Sequence, residues 1–285
     1  MVIFSTFVYL VVTKTDVMKN SCCFLLLFVC FFPLKKINAQ EKQLRDSIYL
    51  TSRPDSISFD ISSTAVIVID MQNDFGAKGG MFDRAGIDIS NIQKAVTPTA
   101  NVLTAARKRG LKIIYLKMAF KPDLSDLGGI EYPTRMKRAK RLHIGDTMTA
   151  PNGVMSRILV RDTWNTEILP ELKPLPEDII ITKNRFNGFY QTSLDSLLKS
   201  LKKKYLIITG CTTSICVEST VRDASFRGFM PIVLVDCTAE PIGNNLPRTN
   251  YEASLLLIQS YFGLVSSSAE FIKGMSSNER TGLKP

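Results

Sequence analysis

An acid, an ammonium and a thiol each close or follow a buried apolar run in this chain. Asp70 ends TAVIVID and opens VIDMQNDF, Lys183 ends DIIITK and opens TKNRFNGFYQTSLD, and Cys216 follows YLIITG within GCTTSICVEST. An Asp at the end of a buried strand sits where desolvation and neighbouring charge shift its proton affinity, so it can act as a base. A thiol at a helix amino terminus becomes more acidic, because unbonded backbone N–H groups and the helix dipole stabilise the thiolate. A neighbouring lysine adds to this, and the same N–H groups can hold the oxyanion formed when a thiolate attacks a carbonyl. Each residue also has a purely structural use. Such a Cys packs as a small hydrophobe, such an Asp caps a turn, and such a Lys faces water. Their joint placement at the ends of three predicted strands is what points to chemistry. His143 is the single histidine. That excludes a metal site needing two or three imidazoles and leaves Ser-His or Cys-His catalysis one candidate base.

The elements that must position these groups alternate between strand and helix. Residues 64–70, 111–117, 178–183, 205–210 and 231–236 are continuous apolar runs, the pattern of strands covered on both faces. Between and after them, helical spacing covers about 92–109 (Val96, Val102, Leu103, Ala106, with Gly110 as stop), 163–172, 192–202, 215–227 and 248–262. Residues 121–160 lack periodicity and read as a lid or insertion. Strict alternation predicts an α/β fold: one doubly wound three-layer domain with a mostly parallel sheet. It spans 61–275, preceded by an extension at 40–60 and followed by a tail at 276–285. Ligands of such sheets bind at the carboxyl ends of the strands, where Asp70, Lys183 and Cys216 lie.

The 285 residues include 36 Lys and Arg, 26 Asp and Glu, and 45% apolar residues. This supports a sizeable core and excludes a disordered polyelectrolyte. The amino terminus reads as an export signal. From Met18, Lys19 precedes the apolar CCFLLLFVCFF, and Asn38-Ala39 offers a cleavage site before Gln40. Residues 1–39 are then a signal peptide, with 1–17 a mis-called start. The expected location is periplasmic, with a membrane-anchored or cytoplasmic protein as the alternatives, and no stable membrane insertion is expected after cleavage. Three cysteines would remain, Cys211, Cys216 and Cys237, and an odd number implies a thiol. The basic patches Arg135–Arg141 and Lys199–Lys204 read as solvated faces, not as a nucleic-acid surface.

The three strings, taken in order from about Thr64 to Leu264, resemble the signature blocks of the isochorismatase-like cysteine hydrolases: VIDMQNDF, TKNRFNGFYQTSLDSLL, and GCTTSICVESTVRDASFRGF followed by IVLVDCTAEP. The resemblance is closest to the ureidoacrylate amidohydrolases, which share NRFNGFYQTSLDSLL, CVESTVRD and the Gly-Gly-Met after DMQNDF. It implies a single α/β domain and an Asp-Lys-Cys triad at Asp70, Lys183 and Cys216. It further implies a cis peptide at Cys211–Thr212 and an oxyanion hole from the N–H groups of Thr212 and Cys216. Substrate contacts are expected from Phe75, Asn73, Arg185, Phe186 and Tyr190. No organic cofactor and no metal is expected, since Gly76–Ile92, where nicotinamidases carry metal-binding histidines, has none. Cys216 argues against the vinyl-ether-cleaving branch, which lacks that cysteine. The implied activity is hydrolysis of a C–N bond in a small amide, ureide or carbamoyl compound, by a dimer or tetramer. A non-catalytic binding protein on this fold, a metal-free nicotinamidase-type amidase, and a thiol-redox protein using Cys211 and Cys216 are the other readings.

Overall fold

A computed structural model describes residues 46–129, 131 and 140–276. The expected signal peptide, the tail beyond 276 and part of the 121–160 segment lie outside the described residues. Among the described residues, ten strands follow in chain order: β1 (Ser47–Leu50), β2 (Ile57–Asp60), β3 (Thr64–Ile69), β4 (Lys112–Met118), β5 (Thr147–Thr149), β6 (Met155–Arg157), β7 (Ile179–Lys183), β8 (Tyr205–Cys211), β9 (Met230–Ala239) and β10 (Leu264–Ser266). Seven helices accompany them there: α1 (Asn73–Gly76), α2 (Met81–Arg84), α3 (Ser90–Lys108), α4 (Leu194–Ser200), α5 (Glu218–Phe226), α6 (Asn250–Leu257) and α7 (Ser268–Ser276). Six strands form one sheet in the order β10-β9-β8-β3-β4-β7, every neighbouring pair parallel.

The sheet is covered on both faces, so its central strands carry apolar residues without a polar stripe. Along β3, Val66 and Val68 pack on one side with Val102, Leu103 and Ala106 of α3 and Phe271 and Met275 of α7. Ala65, Ile67 and Ile69 pack on the other with Leu194 and Leu198 of α4, Val221 and Ala224 of α5 and Leu255 of α6. This is the expected three-layer architecture. From β3 the chain moves outward through β4 to β7, then returns to place β8 on the opposite flank of β3. The order therefore reverses between β3 and β8, and a crevice opens at their carboxyl ends.

Three departures from the sequence reading have local causes. Residues 163–172 do not form a helix. They make two 3₁₀ turns, Trp164–Thr166 and Pro170–Leu172. The backbone between them pairs with the residues after β3, Asn73 N–H donating to Glu167 O (2.9 Å) and Leu169 N–H to Met71 O (2.9 Å). Residues 46–60 are no loose extension. β1 and β2 form an antiparallel hairpin that buries Ile48, Leu50 and Phe59 in the core, and Arg53 exchanges backbone hydrogen bonds with Val265 of β10. Within 121–160, the short pair β5-β6 forms a small separate sheet.

Gly210 shows how closely β3 and β8 approach beside the crevice. It lies opposite Ile69, has φ +122°, and a Cβ there would sit 2.0 Å from Ile69 O. Both the dihedral and the contact require glycine. Gly210→Ala is expected to lower the unfolding free energy by more than about 2 kcal/mol, read from urea denaturation.

Candidate active site

Asp70 follows β3 with φ +53°, a left-handed conformation that Asp tolerates better than most side chains. Its N–H donates to Leu116 O of β4 (2.9 Å) and its carbonyl accepts from Gln72 N–H (2.8 Å), which fixes the turn. Lys183 ends β7, two strands away, opposite Met118 of β4. It reaches past Met118 Sδ (3.8 Å) to donate from Nζ to Asp70 Oδ2 at 2.7 Å and to Arg185 O at 3.2 Å. Both side chains are fully buried. Asp70 Oδ1 is also buried and accepts no hydrogen bond among the described residues, so one carboxylate oxygen of a locked ion pair remains unspent.

Cys216 belongs to a wide turn, Thr213–Val217, in which Val217 N–H donates back to Thr212 O (3.1 Å); α5 starts only at Glu218. The thiol is therefore carried on the turn entering the helix and not on its first regular residue. The Cys211–Thr212 peptide before this turn is cis. Cys211 lies within the cluster, its thiol donating to Asp70 O (3.2 Å). Burial pushes that thiol well up, helped by the charges of Asp70, Cys216 and Glu240 and opposed by Lys183. Cys211 is held as a buried thiol, and neither it, Cys216 nor Cys237 is in a disulfide.

A cavity of about 750 Å³ is lined by Cys216 and Thr212, by the apolar Phe75, Phe82, Phe186 and Ile215, and by Pro241–Gly243 and Arg141. Of the expected substrate contacts, Phe75 and Phe186 face this space. Three others do not. Asn73 donates from its side chain to Trp164 O (2.8 Å), so the amide is spent on the chain. Arg185 turns away to Asp126 O (2.9 Å) and Asn184 O (2.7 Å). Tyr190 is 46% exposed and outside the cavity lining.

Ile87 and Ile242 come from irregular segments, and Phe82 and Arg141 from helical pieces too short to show a period in the sequence. Arg141 and Asp88 are the charged side chains among the lining residues, and the Asp88 carboxylate is held by Ser90 N–H and Oγ–H (2.9 Å each). Among the described residues, no group of three or more His, Cys, Asp and Glu side chains is arranged to hold a metal ion. No described helix is long and apolar enough to cross a membrane.

A second acid in the same string has a different place. Asp74 is fully buried beneath Phe75 and accepts from Met81 N–H (3.0 Å), Leu159 N–H (2.7 Å) and the Asn165 side-chain amide. It ties the α1–α2 wall to the loop following β6.

These features define an α/β protein with a small-molecule crevice at the switch point of its sheet. The isochorismatase domain model matches residues 64–270. The chain is 36% identical over 233 residues to a ureidoacrylate amidohydrolase RutB of Methylorubrum extorquens, covering 82% of this chain and 91% of that protein. It is 37% identical over 224 residues to the ureidoacrylate amidohydrolase RutB of Caulobacter segnis, covering 79% and 90%. Among solved structures, a cysteine hydrolase from Pseudomonas syringae pv. phaseolicola superposes with a TM-score of 0.64 at 27% identity, over 77% of this chain and 95% of that one. The chain belongs to the isochorismatase family.

Burial pushes the Asp74 carboxyl up to about 6, against the opposing pull of the bonds from Asn165, Leu159 and Met81. A carboxyl whose folded pKa exceeds its unfolded value stabilises the fold fully at low pH, and loses that contribution as pH rises through the folded value. Asp74 should therefore contribute roughly 3 kcal/mol at pH 4 relative to pH 8. Asp74→Asn removes this titration. The parent-minus-variant difference in unfolding free energy is expected to fall between pH 4 and pH 7 and to level off above, as measured by denaturant titration.

Proposed function

We propose that this protein is a cysteine amidohydrolase, cleaving a C–N bond of a small amide, ureide or carbamoyl compound through a covalent thioester or S-carbamoyl intermediate. The observation that carries the reading is the buried Asp70–Lys183 pair with one carboxylate oxygen unspent, on a strand whose neighbour leads to Cys216 in the lining of a cavity. Asp70 takes the proton from the Cys216 thiol, and the thiolate attacks the substrate carbonyl. The N–H groups of Thr212 and Cys216 hold the resulting oxyanion. Asp70 returns the proton to the departing nitrogen as the C–N bond breaks. Water then attacks the acyl-sulfur bond, losing its proton to Asp70, and the thiol is restored. Lys183 holds Asp70 in place throughout, through its bond to Oδ2.

The cavity suggests the substrate's form. Apolar walls suit a short carbon framework. Arg141 in the lining, with the neighbouring Asp88 already engaged by Ser90, suits an anionic group remote from the scissile bond. Ureidoacrylate, on which the two curated relatives are named as acting, combines a ureido group with a carboxylate and fits this description. Export of the mature chain from Gln40 belongs to the same proposal and would direct the enzyme to an external ureide or amide. Mass spectrometry of the mature amino terminus checks it, and a chain beginning at Met1 would refute cleavage.

Ammonia release across a panel of ureides, carbamoyl amino acids and simple amides tests the activity. Cys216→Ser is expected to lower turnover by about 10³-fold or more, whereas full activity in that variant would remove the nucleophile assignment. Arg141→Gln is expected to raise KM about tenfold for carboxylate-bearing substrates and to leave uncharged ones nearly unaffected, as steady-state kinetics on matched pairs would read.

A further inference from the structure

Glu240 follows β9 and is almost fully buried, at 1% exposure, yet it belongs to neither the ion pair nor the lining of the 750 Å³ cavity. Its carboxylate is wholly committed to backbone and hydroxyl donors on two segments. Oε2 accepts from Ser214 N–H (2.8 Å) and Ser214 Oγ–H (2.6 Å), and Oε1 accepts from Ile242 N–H (3.0 Å). Ser214 lies in the turn between Thr212 and Cys216. Ile242, with Pro241 and Gly243, is part of the cavity lining. A single charged group thus joins the turn that carries the thiol to a second segment lining the same cavity.

We propose that Glu240 is a positioning residue, setting the Thr212–Cys216 turn against the substrate wall so that thiol and oxyanion donors converge on one carbonyl. The inference rests on the reading of Cys216 as nucleophile. Hydrogen bonds to a buried charged acceptor are strong and directional, and displacing reacting groups by about 1 Å can cost on the order of 10²-fold in rate. Glutamine offers an informative replacement. Its amide has one acceptor oxygen and one donor nitrogen, while the site presents two donors at Ser214 and one at Ile242. The oxygen should therefore turn to Ser214, restoring the thiol-bearing turn and leaving the Ile242 N–H opposed by a donor.

The test uses the full chain with the substitutions Glu240→Ala, Glu240→Gln and Ser214→Ala. Glu240→Ala is expected to lower kcat by at least about tenfold. Glu240→Gln should recover kcat to within about threefold of the parent while KM stays raised, a split that a merely stabilising role would not produce. Ser214→Ala, which keeps the Ile242 bond, should lower kcat with little change in KM and serves should Glu240→Ala fail to fold. Hydrogen exchange gives a readout independent of turnover: amide protection at Ser214 and Ile242 should fall about tenfold in Glu240→Ala. Unchanged protection and unchanged kcat in folded Glu240→Ala would overturn the inference, as would a Glu240→Gln variant whose kcat is as low as that of alanine. Failure of the nucleophile reading shows separately, as a Cys216→Ser protein that still turns over.

Discussion

The molecule is organised around a buried ion pair. Lys183 Nζ and Asp70 Oδ2 meet at 2.7 Å with both side chains removed from water. Taking two charges out of solvent costs several kcal/mol apiece, and removing one partner from such a pair typically destabilises by about 3–5 kcal/mol, because the other is left uncompensated. Such a pair persists only where the surrounding structure holds the geometry. Here β4 lies between the two parent strands, and its end supplies Leu116 O to the Asp70 N–H and the Met118 thioether to the Lys183 ammonium. Gln72 then locks that end, accepting from Met118 N–H (2.7 Å) and donating to Met118 O (3.0 Å).

The order of strands turns this pair into a site. Because β8 joins the sheet on the far side of β3, the turn that carries Cys216 leaves the sheet on the flank of β3 opposite β4 and β7. The close contact of Gly210 with Ile69 keeps β3 and β8 together where they diverge into separate turns. Packing of both faces by helices leaves the carboxyl edge as the place where polar groups from several strands can meet without crossing the core.

Much of this was legible in the sequence because buried parallel strands read as uninterrupted apolar runs, and a charge ending such a run marks the sheet's edge. The five long strands and the positions of Asp70 and Lys183 followed from that. β10, three residues long and at the edge, gave too short a run, and α7 and the β1–β2 hairpin went unread as parts of the core. The 163–172 segment has helical spacing, yet its backbone pairs with the residues after β3, which tertiary contact alone could decide. Cavity residues were the least legible. Phe82, Arg141 and Ile242 come from short helical pieces and a loop, whereas Asn73, Arg185 and Tyr190 stand near site residues in sequence and are not in the cavity lining.

Three buried carboxylates at this edge show what separates a reactive acid from a structural one. Asp74 and Glu240 each accept three donors, spread over both oxygens. Their lone pairs are used to hold neighbouring segments together. Asp70 meets a single cation on one oxygen and keeps the other unbonded among the described residues. An unbonded buried oxygen is costly in itself. It is also what a proton acceptor requires, since a base must present a lone pair that binding has not already consumed. Glu240 follows a strand just as Asp70 does, so position in the fold is shared by both acids, and the number of donors around each separates a carboxylate that ties segments together from one that keeps a lone pair.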